Sequence, residues 1–119
     1  MRGTRQMRRW GLAVVKVITL AAALAAAGAS QEAGGVRHWV EIHDFAFVPA
    51  YLAAAPGDTV VWVNRDLVPH TITARDESWD SQAVPSNEAW ELRLTEEMTG
   101  GYFCRYHPFM EGQVAVKRR

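Results

Sequence analysis

The chain has 119 residues, with 13 Lys/Arg against 13 Asp/Glu and four histidines. That length suits one domain, and a balanced charge excludes the strongly basic surface that nucleic-acid binding requires. A single cysteine, Cys104, excludes an internal disulfide.

Residues 1–30 do not read as part of a folded domain. Arg2, Arg5, Arg8 and Arg9 form a basic start, Val14 to Ala27 is an Ala-rich apolar run, and Ala27-Gly28-Ala29-Ser30 closes it with small residues. This order predicts a signal peptide cleaved near Ala29 or Ser30. A retained membrane anchor is the competing reading, but Lys16 interrupts the run and Ala adds little to insertion. Arg8-Arg9-Trp10-Gly11-Leu12 resembles a twin-arginine export signal, with the general secretory route as the alternative. Cleavage removes five of the 13 basic residues and none of the 13 acids, so the formal charge falls from zero to about −5. The roughly 90 residues that remain bury only about 60–70% of their unfolded surface, which predicts marginal stability. An exported domain of that size commonly adds disulfides, which one cysteine cannot supply. A free thiol in an oxidising compartment is a liability unless something occupies it, and a metal both occupies it and stabilises the fold.

The rest of the chain reads as short strands. Residues 31–35 are small and polar. Val36, His38, Val40 and Ile42 alternate with Arg37, Trp39, Glu41 and His43, and Phe45 and Phe47 continue the alternation toward Pro49. Tyr51 to Ala54 is a weaker candidate, and Pro56-Gly57-Asp58 is a turn. Thr59 to Val63 is β-branched and aromatic, as a core strand should be. Asn64 to Pro69 predicts a loop and Thr71 to Thr73 a strand. Asp76 to Asn87 predicts a long loop with a brief strand near Trp79. Ala89 to Thr95 alternates again. Thr99-Gly100-Gly101 turns the chain into Tyr102-Phe103-Cys104. Gly112 precedes a last strand, Gln113 to Val116, and Lys117-Arg118-Arg119 is a charged tail. No segment after residue 30 carries helical periodicity over three turns. Seven or eight short strands predict an all-β Greek-key sandwich, whose connections bring sequence-distant strands together.

The chemistry concentrates in Cys104-Arg105-Tyr106-His107-Pro108-Phe109-Met110, a C-x2-H-x2-M pattern, with His70 well upstream behind Pro69. Thiolate, imidazole and thioether are soft ligands that select copper, and two His, one Cys and a weak axial Met are the ligands of a blue-copper site. A lone Cys is usually a buried small apolar residue; the spacing of its neighbours favours ligation. Zinc could occupy such a site, but its fourth ligand is normally not a thioether. His38 and His43 read as solvent-facing strand residues. Met98 and Trp39, Trp62, Trp79 and Trp90 read as packing.

These features resemble the cupredoxins, blue-copper proteins, and within them the amicyanin and pseudoazurin group. The resemblance spans most of residues 41–116. It is carried by Phe45-x-Phe47-x-Pro49, by Pro56-Gly57-Asp58-Thr59-Val60-x-Trp62-x-Asn64-x-Asp66-x2-Pro69-His70-Thr71, and by Gly101-Tyr102-x-Cys104-x2-His107-Pro108-x-Met110-x-Gly112-x-Val114. The short spacing from His107 to Met110 is that of amicyanins, and Tyr106 stands where their loops commonly carry Pro. The resemblance implies one type 1 copper ion held by His70, Cys104, His107 and Met110. It implies that Thr71 fixes the thiolate side of the site through hydrogen bonding, and that Asn64 ties the His70 loop to the Cys104 loop.

The expected function is a periplasmic one-electron carrier, a monomer free of the membrane after cleavage and without nucleic-acid partners. Redox-partner proteins would dock transiently where Pro69, Pro108 and Phe109 surround His107. A Cys104 enzyme with a histidine base is disfavoured, because no third catalytic partner or oxyanion hole is recognisable. A copper nitrite reductase would need a second copper site, which His38 and His43 do not make. Copper storage or delivery is the alternative, although such proteins commonly use several exposed Met or Cys residues.

Overall fold

Eight strands form two mixed four-stranded sheets in a computed structural model of the protein that describes Gly3 and residues 34–117. The expected signal peptide, Gly3 apart, lies outside the described residues, as do 31–33 and Arg118-Arg119 of the charged tail. The strands are β1 (Arg37–His43), β2 (Ala46–Val48), β3 (Tyr51–Ala54), β4 (Thr59–Asn64), β5 (Thr73–Ala74), β6 (Ala89–Arg93), β7 (Gly101–Phe103) and β8 (Glu111–Val116). One sheet has the order β2-β1-β4-β6, the other β3-β8-β7-β5. The parallel pairs β1–β4 and β3–β8 make neighbours of strands distant in sequence. The result is the expected all-β sandwich.

Its core lies between the sheets. Alternation buries Val40 and Ile42 of β1 and Val60 and Trp62 of β4, facing Ala54, Val114 and Tyr102 of the other sheet. Trp62 is fully buried, with ring centroids 5.4 Å from Tyr102 and 5.6 Å from Trp90. Burying some 200 Å² of Trp surface contributes roughly 5 kcal/mol. Tyr102 pairs across the sheet with Gly112, and its ring occupies the space a Cβ at Gly112 would need. Burial pushes the Tyr102 phenol up to about 12.

The Pro56-Gly57 turn forms as expected, with Gly57 at φ 91. Behind it, the Asp58 carboxylate accepts the N–H groups of Val36 (2.8 Å) and Ala55 (3.0 Å) and bonds His38 Nε2 (2.8 Å). His38 is therefore not solvent-facing, its side chain being only 19% exposed, whereas His43 is exposed. Periodicity placed His38 on the apolar face but could not show its partner.

Several strands differ from expectation, four of them for a visible reason. The alternation through Phe45 is broken by a two-residue hairpin turn: His43 pairs with Ala46, and Asp44 and Phe45 take left-handed φ values of 49° and 59°. Residues 71 and 72 are not strand. Thr71 N–H points at Cys104 Sγ and Ile72 N–H at Ser81 Oγ, so β5 starts only at Thr73. No strand forms near Trp79, where an isolated bridge joins Thr73 to Asp80. Finally, β8 starts at Glu111, because Glu111 and Gly112 already pair with Phe103 and Tyr102.

Candidate metal centre

The β7–β8 hairpin sets the first part of the site. Cys104 follows β7 and Met110 precedes β8, and Cys104 N–H donates to the Met110 carbonyl at 3.2 Å. Inside that closure His107 N–H donates to the Cys104 carbonyl (3.2 Å) and Met110 N–H to the His107 carbonyl (2.8 Å). This curled loop sets Cys104 and Met110 in backbone contact, with His107 held between them. The fourth residue comes from the other side of the sandwich end. His70 exchanges two backbone hydrogen bonds with Val84, at 3.2 and 2.8 Å.

Three of the four residues expected from the sequence bring their donor atoms together, and Met110 is buried at the hairpin closure beside Cys104. His70 Nδ1 lies 3.7 Å and His107 Nδ1 3.8 Å from Cys104 Sγ. The donor atoms of His70, Cys104 and His107 all lie within 4.8 Å of one another. His70 and Cys104 are fully buried, Met110 is 2% exposed and His107 is half-buried. His70 is thus the secluded histidine and His107 the more accessible one.

The arrangement fits a soft metal ion. Bonds of about 2.3 Å to sulfur and about 2.0 Å to nitrogen, about 120° apart, set the two donors about 3.7 Å apart. A thiolate and two imidazoles at that spacing, with a buried thioether beside them, suit copper.

Surrounding residues hold the donors. Thr71 N–H lies 3.4 Å from Cys104 Sγ, and Thr71 Oγ1 accepts Arg105 N–H at 2.8 Å. Thr71 Oγ1 is 3.0 Å from Thr73 Oγ1, which donates to Asp80 Oδ1 at 3.2 Å. The Thr71 hydroxyl must then donate to Thr73. Asp80 Oδ2 in turn accepts Arg105 Nε–H at 2.9 Å, which closes a ring of hydrogen bonds. Burial alone would raise the Asp80 pKa, but Gln82 N–H, Arg105 and Thr73 together hold it below the ordinary carboxylate value. Thr71 thus performs the task expected of it.

Asn64 does not. Its Nδ2 donates to the carbonyls of Val68 (2.8 Å) and Val84 (3.0 Å), and its Oδ1 accepts Asp66 N–H (2.9 Å). It ties the end of β4 to the His70 loop and the Val84 segment, while Thr71 makes the link to the Cys104 loop.

Sequence reasoning gave no role to Asp66 or to the Phe45 ring. Asp66 Oδ2 sits 2.8 Å from His70 Nε2, and the carboxylate also accepts the N–H groups of Asp44 (2.7 Å) and Phe45 (3.0 Å). Burial raises its pKa, and the bonds from Phe45, His70 and Asp44 outweigh that and lower it. The Phe45 ring stands edge-on to both imidazoles, 5.4 Å from His70 and 4.9 Å from His107. A carboxylate four residues before a candidate ligand was the only signal available. A second group, His43, Asp44 and Asp66, also clusters among the described residues. It offers no sulfur, and Asp66 is already engaged.

Phe109 (71% exposed) holds its ring 6.1 Å from His107, and Tyr106, Pro108, Pro69 and Leu67 are exposed on the two loops that carry the histidines.

Residues 35–117 match the model of the copper binding proteins, plastocyanin/azurin family. The chain belongs to that family. Amicyanin from Paracoccus denitrificans is 31% identical over 83 residues, which are 66% of this chain and 63% of the amicyanin. Plastocyanin from Nostoc punctiforme is 34% identical over 85 residues, 70% of this chain and 58% of the plastocyanin. The chain therefore spans less than two thirds of these relatives. The solved Cu(I) form of an amicyanin mutant superposes with a TM-score of 0.63 at 32% identity, covering 75% of this chain and 89% of that one.

Proposed function

We propose that the protein is a blue-copper one-electron carrier whose metal would be held by His70 Nδ1, Cys104 Sγ and His107 Nδ1, with the Met110 thioether as a weaker fourth ligand. The observation that carries the reading is the pair of Sγ–Nδ1 separations, 3.7 and 3.8 Å, in an end of the sandwich held by hydrogen bonds on every side. Copper supplies reversible exchange of one electron when bound. The protein's part is to keep the donors in place in both oxidation states, so that little rearrangement accompanies transfer. The Thr71–Thr73–Asp80–Arg105 ring holds the thiolate side. The Cys104 carbonyl and the Met110 N–H hold the His107 backbone.

Pro69, Pro108 and Phe109 surround the half-buried His107, and this apolar rim is the surface where redox partners dock. Weak redox encounters use small interfaces. We place the carrier in the periplasm as a monomer, from the basic, apolar and small-residue order of residues 1–30. A mature protein that keeps those residues would sink that placement.

The test of function is optical and electrochemical. Copper-loaded protein should be intensely blue from thiolate-to-copper charge transfer and show a reversible one-electron wave. Cys104→Ser should lose the colour. A colourless wild type that binds copper would favour storage or delivery, and a Cys104→Ser variant that stayed blue would refute the ligand set.

A further inference from the structure

The segment that follows β5 is strained in two places. Glu77 and Gln82 adopt left-handed conformations, at φ 63° and 62°. Residues carrying Cβ hold such conformations only where their surroundings impose them. Between the two, Asp80 Oδ1 accepts Gln82 N–H at 2.8 Å and the Thr73 hydroxyl at 3.2 Å. The strained turn delivers two carboxylates to one cation. Arg105 places Nε 2.9 Å from Asp80 Oδ2 and Nη1 3.2 Å from Glu77 Oε1.

Arg105 directly follows Cys104, inside the curl closed by the His107 N–H bond to the Cys104 carbonyl. Its backbone N–H donates to Thr71 Oγ1 at 2.8 Å, and Thr71 N–H faces Cys104 Sγ. One residue thus grips two segments: its main chain holds Thr71 and its side chain holds Glu77 and Asp80. A guanidinium fork can serve two carboxylates at once. The Arg105, Asp80 and Glu77 side chains are 42%, 25% and 66% exposed. Ion pairs that open to water add little to global stability. Strain kept for so small a gain points to placement rather than stability.

We propose that Glu77, Asp80 and Arg105 form a clamp that sets the contact between Thr71 and Cys104 before any metal binds, which makes Arg105 a positioning residue for the thiolate. Only the effect of the clamp on the potential rests on the copper-carrier reading.

Two variants test the clamp from its two sides. Arg105→Leu removes the guanidinium and keeps an apolar stem. Asp80→Asn keeps an acceptor for Thr73 and Gln82 and removes the anion that faces Arg105. In copper-free protein, amide hydrogen exchange at Thr71 should speed up about fivefold in either variant. Amides of β1 and β4 should stay as they are, and the double variant should be no faster than the single ones. Arg105→Lys should recover part of the protection, because the charge remains and the fork is lost. Unchanged exchange at Thr71, a uniform rise across β1 and β4, or effects that multiply in the double variant would overturn the proposal. Copper-loaded protein gives a second readout. Losing a nearby cation lowers a potential and losing a nearby anion raises it, so charge alone moves the two single variants in opposite directions. The clamp predicts shifts of the same sign; opposite signs, or no shift, would count against it. If a variant fails to fold, copper-free wild type decides. Salt at about 1 M shortens the screening length to about 3 Å and weakens exposed pairs. It should speed exchange at Thr71 relative to the β4 amides, and an unchanged ratio would overturn the clamp. Copper-loaded wild type without blue colour would strike instead at the carrier reading and leave the exchange result standing.

Discussion

Replacing Asp58 by Ala removes three hydrogen bonds at once, at 2.8, 3.0 and 2.8 Å from Val36, Ala55 and His38. Hydrogen bonds to charged groups contribute about 1.5–3 kcal/mol each when sheltered. Val36 is 59% exposed and water can take over there, so about 1 kcal/mol per bond is the realistic scale. The expected loss is about 3 kcal/mol, or about 12–24 °C in Tm for a domain of this size. The pH dependence gives the sharper check. Hydrogen bonds from Ala55 N–H and then His38 outweigh burial and hold the Asp58 pKa below its ordinary 3.8. A depressed folded pKa stabilises fully above pH 3.8 and loses that contribution as pH falls through the folded value. Urea melts of copper-free wild type and Asp58→Ala should therefore differ by about 3 kcal/mol at pH 7 and converge below pH 3.8. A gap under about 0.5 kcal/mol at pH 7, or one that widens in acid, would refute the reasoning.

Copper removal should lower the melting temperature. Metal at 100 times its dissociation constant adds about 2.7 kcal/mol, so calorimetry should show copper-free protein melting roughly 11–22 °C earlier. Equal Tm values with excess copper would mean that the native state does not bind it. Gly112→Ala should cost about 1–3 kcal/mol by displacing the Tyr102 ring, and should change the near-UV circular dichroism of that ring. A double variant with Tyr102→Leu should show less than the sum of the two single losses in chemical denaturation; strict additivity would deny the contact.

Much of the metal centre was legible because its ligands are local in sequence. Cys104, His107 and Met110 lie within one hairpin loop, whose spacing fixes their mutual geometry once β7 and β8 pair. Alternation marked Val40, Ile42, Val60 and Trp62 as core for the same reason: a strand's faces repeat with period two. The sequence by itself thus determined the sandwich, the donor set and the side chains that fill the core. Tertiary structure decided what depends on partners from elsewhere in the chain. His38 is drawn inward because Asp58 meets it from the β3–β4 turn. Residues 71 and 72 leave the strand because Cys104 and Ser81 take their N–H groups. The Asp44-Phe45 turn tolerates left-handed residues because Asp66 accepts both N–H groups, which also brings a charge against His70. Hydrogen bonds of this kind have no period in the sequence, so only the fold could reveal them.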